Sequence, residues 1–283
     1  MGASVACHMD FRLLGPLEVV ENGAAIDVGS AKQRALLAVL LLNANRVVST
    51  EALIESLWGE RAPGAAAKAL QVYVSQLRKA VGRERIVTRS PGYELLLEPD
   101  ELDLDRFERL VSSEKFGEAL RLWRGSPLAD FAYEPFAQSE IARLEELELS
   151  CLERRVDADL AEGEHAVLVA ELEALVREHP LRERLRAQLM LALYRSGRQA
   201  EALDTYQSAR RHLAEELGLE PGAELRELQR AILAQASALD PPERPRRFSR
   251  EATPSVGMPK PSRVRQARKT VTVLSCDVAP SGY

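Results

Sequence analysis

The chain has 283 residues, of which 43 are Asp or Glu and 38 are Lys or Arg, a formal net charge of −5. That length allows one large domain or two of ordinary size, and the acidic balance, taken whole, argues against a nucleic-acid binder. Cys7, Cys151 and Cys276 form no CxxC pair and the longest apolar run, Ala35 to Leu42, is eight residues, so neither a disulfide or zinc framework nor a bilayer span of ~20 residues is indicated; with no charged-then-apolar leader, a cytoplasmic protein without membrane contact is expected.

Residues 1–9 carry no periodicity and read as a disordered N-terminus. Three short apolar stretches follow, at 11–14, 17–20 and 24–28, divided by Gly15-Pro16 and Asn22-Gly23. Asn-Gly between strand-like runs signals a hairpin, because both central residues must take positive φ. Ser30 then caps a helix over 31–43 with an apolar face of Leu36, Leu37, Leu40 and Leu41, and with Lys32, Gln33 and Arg34 near its start. Ser49 or Thr50 caps a second helix reaching Trp58, which Gly59 ends.

The third helix is predicted over 65–81. Its buried stripe is Leu70, Tyr73 or Val74, Leu77 and Val81, at spacings of three and four, and Gly82 closes it. Opposite lie Lys68, Gln71, Val72, Ser75, Gln76 and Lys79. The pattern then becomes strand-like at 85–88 and 93–97, around Ser90-Pro91-Gly92, a hairpin with basic residues at its tip. A small sheet, three helices and a terminal hairpin make a winged helix over residues 10–98.

From Leu102 onward the periodicity is helical, with candidate helices at 105–113, 114–123, 139–162, 165–178, 181–196, 198–217 and 223–236. Paired helices joined by tight turns suggest a tetratricopeptide-like stack over 99–239, in which Gly197 makes a turn and Ala200 and Ala202 allow close approach. The fold class is therefore mainly α: an N-terminal winged helix-turn-helix with a small antiparallel sheet and wing hairpin, then an all-α tetratricopeptide-like domain. Residues 240–283 read as a flexible basic linker and, at 270–278, a strand lacking the rest of its domain. The net charge divides accordingly into +1 for residues 10–98, −12 for 99–240 and +6 for 241–283.

The third helix and hairpin carry the functional signal. From Lys68 to Tyr93 there are six basic residues, Lys68, Arg78, Lys79, Arg83, Arg85 and Arg89, and one acid, Glu84. Cations set against phosphates release condensed counterions, the main sequence-independent source of DNA affinity. Gln71, Ser75 and Gln76 can exchange hydrogen bonds with base edges and Val72 can meet a thymine methyl. Arg89 at the hairpin tip suits a minor-groove or phosphate contact, and Lys32 and Arg34 can reach phosphates. The plainer alternative is a solvated helix face. The order of second helix, basic helix and basic hairpin favours DNA recognition.

No HExxH, Walker A or GxSxG sequence is present, and His8, His165, His179 and His212 share no ligand spacing. Acidic clusters such as Glu145-Glu146-Glu148 read as solvated helix faces. Neither an enzyme nor a cofactor or metal site is expected.

These stretches resemble a known family. FRLLGPLEVVENG, SAKQRALLAVLLLNANRVVSTEALIESLWGE, AAAKALQVYVSQLRKAVG and IVTRSPGYELLL are similar to the N-terminal half of Streptomyces antibiotic regulatory proteins. Residues 102–238, with LALYRSGRQAEALDTYQSARRHLAEELGLEPGAELREL, resemble their bacterial transcriptional activation domain. The resemblance implies binding of double-stranded DNA at promoter direct repeats near the −35 element, as a homodimer, and recruitment of RNA polymerase holoenzyme through its sigma factor. By matched position it implies base-facing roles for Gln71, Val72, Ser75 and Gln76, phosphate proximity for Arg78 and Lys79, and a wing role for Arg89. RKTVTVLSCDV, at 268–278, resembles the opening strand of a class III nucleotide cyclase, with Asp277 as its first metal carboxylate; alone it can hold neither metal pair nor nucleotide.

The resulting expectation is a DNA-binding transcriptional activator of secondary-metabolite biosynthesis. Its rivals are the regulatory front end of a larger regulator-cyclase and a helical-repeat interaction scaffold.

Overall fold

The computed structural model describes residues 9–240, which belong to one compact unit. The expectations for residues 1–8 and for the basic linker and strand with Asp277 lie outside the described residues. An antiparallel sheet opens the fold, β1 (Met9–Arg12), β2 (Glu18–Glu21) and β3 (Ala24–Ala25), paired in that order. Asn22 and Gly23 turn between β2 and β3 at φ +51° and +86°, the two positive values that the hairpin needs. The strand starts two residues before the expected stretch and takes in a residue read as part of the disordered N-terminus: Met9 is buried on the same side of β1 as Phe11 and pairs with Glu21.

Three helices follow: α1 (Ala31–Leu42), α2 (Thr50–Trp58) and α3 (Ala66–Val81). Ser49 caps α2 through its hydroxyl, which accepts from the Ala52 N–H at 3.1 Å. In α1, Gln33 and every residue from Ala35 to Leu41 are buried, so this helix is the axle around which the others pack rather than an amphipathic surface element. Between α1 and α2 lies β4 (Val47–Ser49), where the sequence suggested only a connection; it pairs with β6 (Gly92–Leu95), whose other edge carries β5 (Ile86–Arg89). The central strand β6 has two edges of backbone donors and acceptors, and a two-stranded wing would leave one of them open. Val48 opposite Tyr93 closes it.

The remainder is helical: α4 (Asp103–Ser112), α5 (Phe116–Leu120), α6 (Pro135–Ala161), α7 (His165–Glu178), α8 (Glu183–Arg195), α9 (Gln199–Leu217) and α10 (Ala223–Leu233). All seven expected helices are present, α7 with the expected ends and the other six with shifted ones. The largest shifts are at α5, reduced to five residues, and at α6, which starts four residues earlier than expected with Pro135 in its first turn, where a missing N–H costs nothing. Ala202 is buried at the approach of α9, as expected, whereas Ala200 faces solvent, one residue off the buried stripe.

The core does not divide at residue 98. One apolar cluster runs from Met9 through α1–α4 and on to Ala137, Leu144 and Cys151 of α6. A second begins at Val156 and Leu160 of the same helix and ends at Ile232. The winged helix is thus completed by residues assigned by the sequence to the helical domain, because its N-terminal sheet would otherwise leave apolar and polar groups uncovered. Phe11 donates its N–H to Glu101 O at 2.7 Å, and Arg124 and Leu128 donate theirs to Leu14 O and Leu13 O at 2.8 and 3.0 Å. The buried Asp103 carboxylate accepts from the Leu13 N–H at 2.8 Å and the Leu14 N–H at 3.0 Å. Near the seam, burial pushes the Cys151 thiol up to about 11, so it packs as a small apolar group.

Two outcomes follow. Asp103→Ala leaves two buried N–H groups without an acceptor and is expected to cost about 2–4 kcal/mol in urea unfolding, with Asp103→Asn, which keeps an accepting oxygen, costing less. A fragment ending at residue 98 should lack a cooperative thermal transition, since it loses the partners of Phe11, Leu13 and Leu14; a sharp transition would sink the shared-core account.

Candidate nucleic-acid interface

A helix can offer one face to a groove only if the opposite face is anchored. Ala66, Leu70, Val74, Leu77 and Val81 anchor α3 along its length, and Tyr73 stacks on Trp58 of α2 with ring centroids 6.1 Å apart. Lys68, Gln71, Val72, Ser75, Gln76 and Lys79 are left exposed on the other side. No acidic residue occurs in α3. Val72, 48% exposed, is an apolar side chain standing in solvent within a polar face, as a thymine-methyl contact would require.

The wing is fastened to this helix. Arg78 donates from Nε to Ile86 O at 2.7 Å and from Nη2 to Thr88 Oγ1 at 2.9 Å. Its guanidinium therefore braces β5 against α3. Arg89 lies beside the hairpin tip, 57% exposed, with Nε 2.6 Å from Glu94 Oε2 in an ion pair that lacks hydrogen-bond alignment. Glu94 is buried in the central strand β6, and the sequence pattern gave no sign of it. A carboxylate in that position draws Arg89 onto the sheet while more than half of its side chain stays exposed.

Three other cations are placed elsewhere. Arg85 donates to both carboxylate oxygens of Glu101 at 2.6 and 2.7 Å and lies 5.9 Å from the Phe11 ring centroid. Lys32 donates to Leu57 O at 2.6 Å, at the C-terminal end of α2 where a cation is favoured, and pairs with Glu134 at 3.7 Å. Arg34 donates to Leu17 O at 2.9 Å and to Asp130. A partly buried cation must be paired, and these three join segments distant in sequence. The structure thus ties β5 of the wing to α3 through Arg78 and holds Lys32, Arg34 and Arg85 within the framework. Among the described residues, no group of three His, Cys, Asp or Glu is placed to hold a metal ion, and no helix is long and apolar enough to cross a membrane.

The two kinds of cation should separate in unfolding experiments. Arg85→Ala removes one half of a buried bidentate pair and is expected to destabilise by about 3 kcal/mol, whereas Lys79→Ala on the exposed face should stay within about 0.5 kcal/mol of the parent.

Comparison with known proteins bears on both halves. Residues 27–95 match the family described as "Transcriptional regulatory protein, C terminal", and residues 102–233 match "Bacterial transcriptional activator domain". The chain is 45% identical over 244 residues to regulatory protein AfsR of Streptomyces coelicolor, covering 81% of this chain and 24% of that protein; it spans about a quarter of the AfsR relatives it matches. Regulatory protein DnrI of Streptomyces peucetius is 38% identical over 257 residues, 82% of this chain and 94% of DnrI. Among solved structures, Mycobacterium tuberculosis EmbR in complex with a low-affinity phosphopeptide superposes with a TM-score of 0.76 at 36% identity, covering 81% of this chain and 66% of that one. With a winged helix and an activator domain matched in the same order, the chain belongs to the Streptomyces antibiotic regulatory protein family of transcriptional regulators.

Proposed function

We propose that the chain is a cytoplasmic transcriptional activator that docks α3 in the major groove at direct repeats near the −35 element and recruits RNA polymerase holoenzyme through its sigma factor. The observation that supports it most is the acid-free, exposed face of α3 set beside a braced wing. Lys68 and Lys79 then meet phosphates, Gln71, Val72, Ser75 and Gln76 meet base edges, and Arg89 reaches from the wing. Two protomers would sit on tandem half-sites about one helical turn apart. Residues 99–240, net −12, suit contacts with protein surfaces, since that charge repels phosphate. Control of secondary-metabolite biosynthesis is proposed by likeness to the relatives.

Salt titration tests this reading. With DNA from the region upstream of its own coding sequence, log affinity should fall linearly with log salt, and Lys68→Ala and Lys79→Ala should each flatten the slope by about one. Gln71→Ala should change sequence preference and leave the slope alone. Salt-independent or absent binding refutes the DNA-binding reading and favours an interaction scaffold.

A further inference from the structure

The Gln76 side chain is held from beneath. At the N-terminus of α1, Gln33 is buried, 8% exposed, and engaged at both ends of its amide. Its Oε1 accepts from the backbone N–H of Ser30 at 2.7 Å, and its Nε2 donates to Gln76 Oε1. A primary amide can ordinarily be turned over, exchanging oxygen and nitrogen. Here the sense is fixed by the backbone, because the Ser30 N–H can only donate. The oxygen of Gln33 must face Ser30, its nitrogen must face Gln76, and Gln76 must answer with its own oxygen. Space for this comes from Gly29, at φ +88°, where a Cβ would collide with Gln33 Oε1.

We propose that this relay sets the hydrogen-bonding sense of Gln76 at the DNA face, which makes Gln33 a specificity-determining residue that touches no base. The inference rests on the DNA-binding reading above. With its oxygen turned inward, Gln76 offers N–H donors to the groove. Those match N7 and O6 of guanine or O4 of thymine; cytosine shows an amino donor there, and the bidentate adenine contact needs a donor and an acceptor together. Gln33 acts by positioning, and the direction of the preference is written at the cap of a helix that never enters the groove.

Gln33→Glu tests this directly. A carboxylate still accepts from the Ser30 N–H, as in the S-x-x-E capping box, but it cannot donate, so Gln76 must turn its –NH2 inward and its oxygen outward. Binding sites are selected from a randomised duplex library with the full chain, and the base pair read by Gln76 is the one whose selectivity disappears in Gln76→Ala. There the parent should prefer guanine or thymine, and Gln33→Glu should prefer cytosine or adenine, each by about tenfold. Gln33→Leu, which removes both hydrogen bonds, should level the preference, with thermal unfolding reporting that each variant is folded. An unchanged preference in Gln33→Glu overturns the relay, as does a Gln76→Ala variant that alters no position. If the parent binds no duplex in a salt-dependent way, the DNA-binding reading itself fails; binding with unchanged preference removes only the relay.

Discussion

The N-terminal half depends on where two backbone donors go. The chain leaves β1 after Arg12, and Leu13 and Leu14, both fully buried, have no strand neighbour for their N–H groups. The Asp103 carboxylate takes them both. Burial raises the pKa of Asp103, while those N–H groups and the nearby Arg124 favour its ionised form. The carboxyl group is held as a hydrogen-bond acceptor where a neutral apolar group would leave the backbone unsatisfied. Because Asp103 opens α4, the opening sheet is fixed to the first helix of the following domain, and Phe11 bridges to Leu102 in parallel.

The same division explains the use of cations. Arg106 and Arg12 both pair with Asp10 at 2.7 Å, Arg124 with Glu18 at 3.0 Å, and Arg34 and Arg85 with Asp130 and Glu101. Apart from Arg12, which pairs within β1, these positive charges are neutralised by carboxylates on the other side of residue 98. The α3 face keeps its Lys residues in solvent. Local charge in the sequence therefore overstates the charge available to a phosphate, because Arg85 and Arg78 stand close to Lys79 along the chain and point into different work.

Much of this was legible from the residues. The period of α3, the Asn22-Gly23 turn and the Gly59 and Gly82 stops are local signals, and each depends on neighbours within a few positions. Long-range pairings were not legible. β4 exists because β6 needs a second partner, and Val47-Val48 alone is too short a run to announce a strand. Glu94 sits in a short strand-like run, and its pairing with Arg89 depends on the register of β5 against β6. Gln33 did carry a signal, since Ser30-x-x-Gln33 has the spacing of a capping box; its reach to Gln76, 43 positions on, carried none. The shared core was illegible for the same reason: composition changes at residue 99 and the two family matches meet between residues 95 and 102, while the apolar cluster continues to Cys151.

Helix α6 has 27 residues, about 40 Å at the usual rise, and its buried residues serve one core as far as Cys151 and the other from Val156 onward. Between Cys151 and Val156 nothing breaks it, so the angular setting of the second core against the first is a matter of helical phase. One residue inserted there would rotate everything downstream by about 100° and advance it by ~1.5 Å, whereas seven would nearly restore the heading and only lengthen the shaft. Arg182, which grips Glu146 on one side of that interval and Glu153 within it, at 2.8 and 2.7 Å, clamps the phase from outside. The orientation in which the acidic domain is presented is thus metered in residues of a single helix, as the teeth of a gear set an angle.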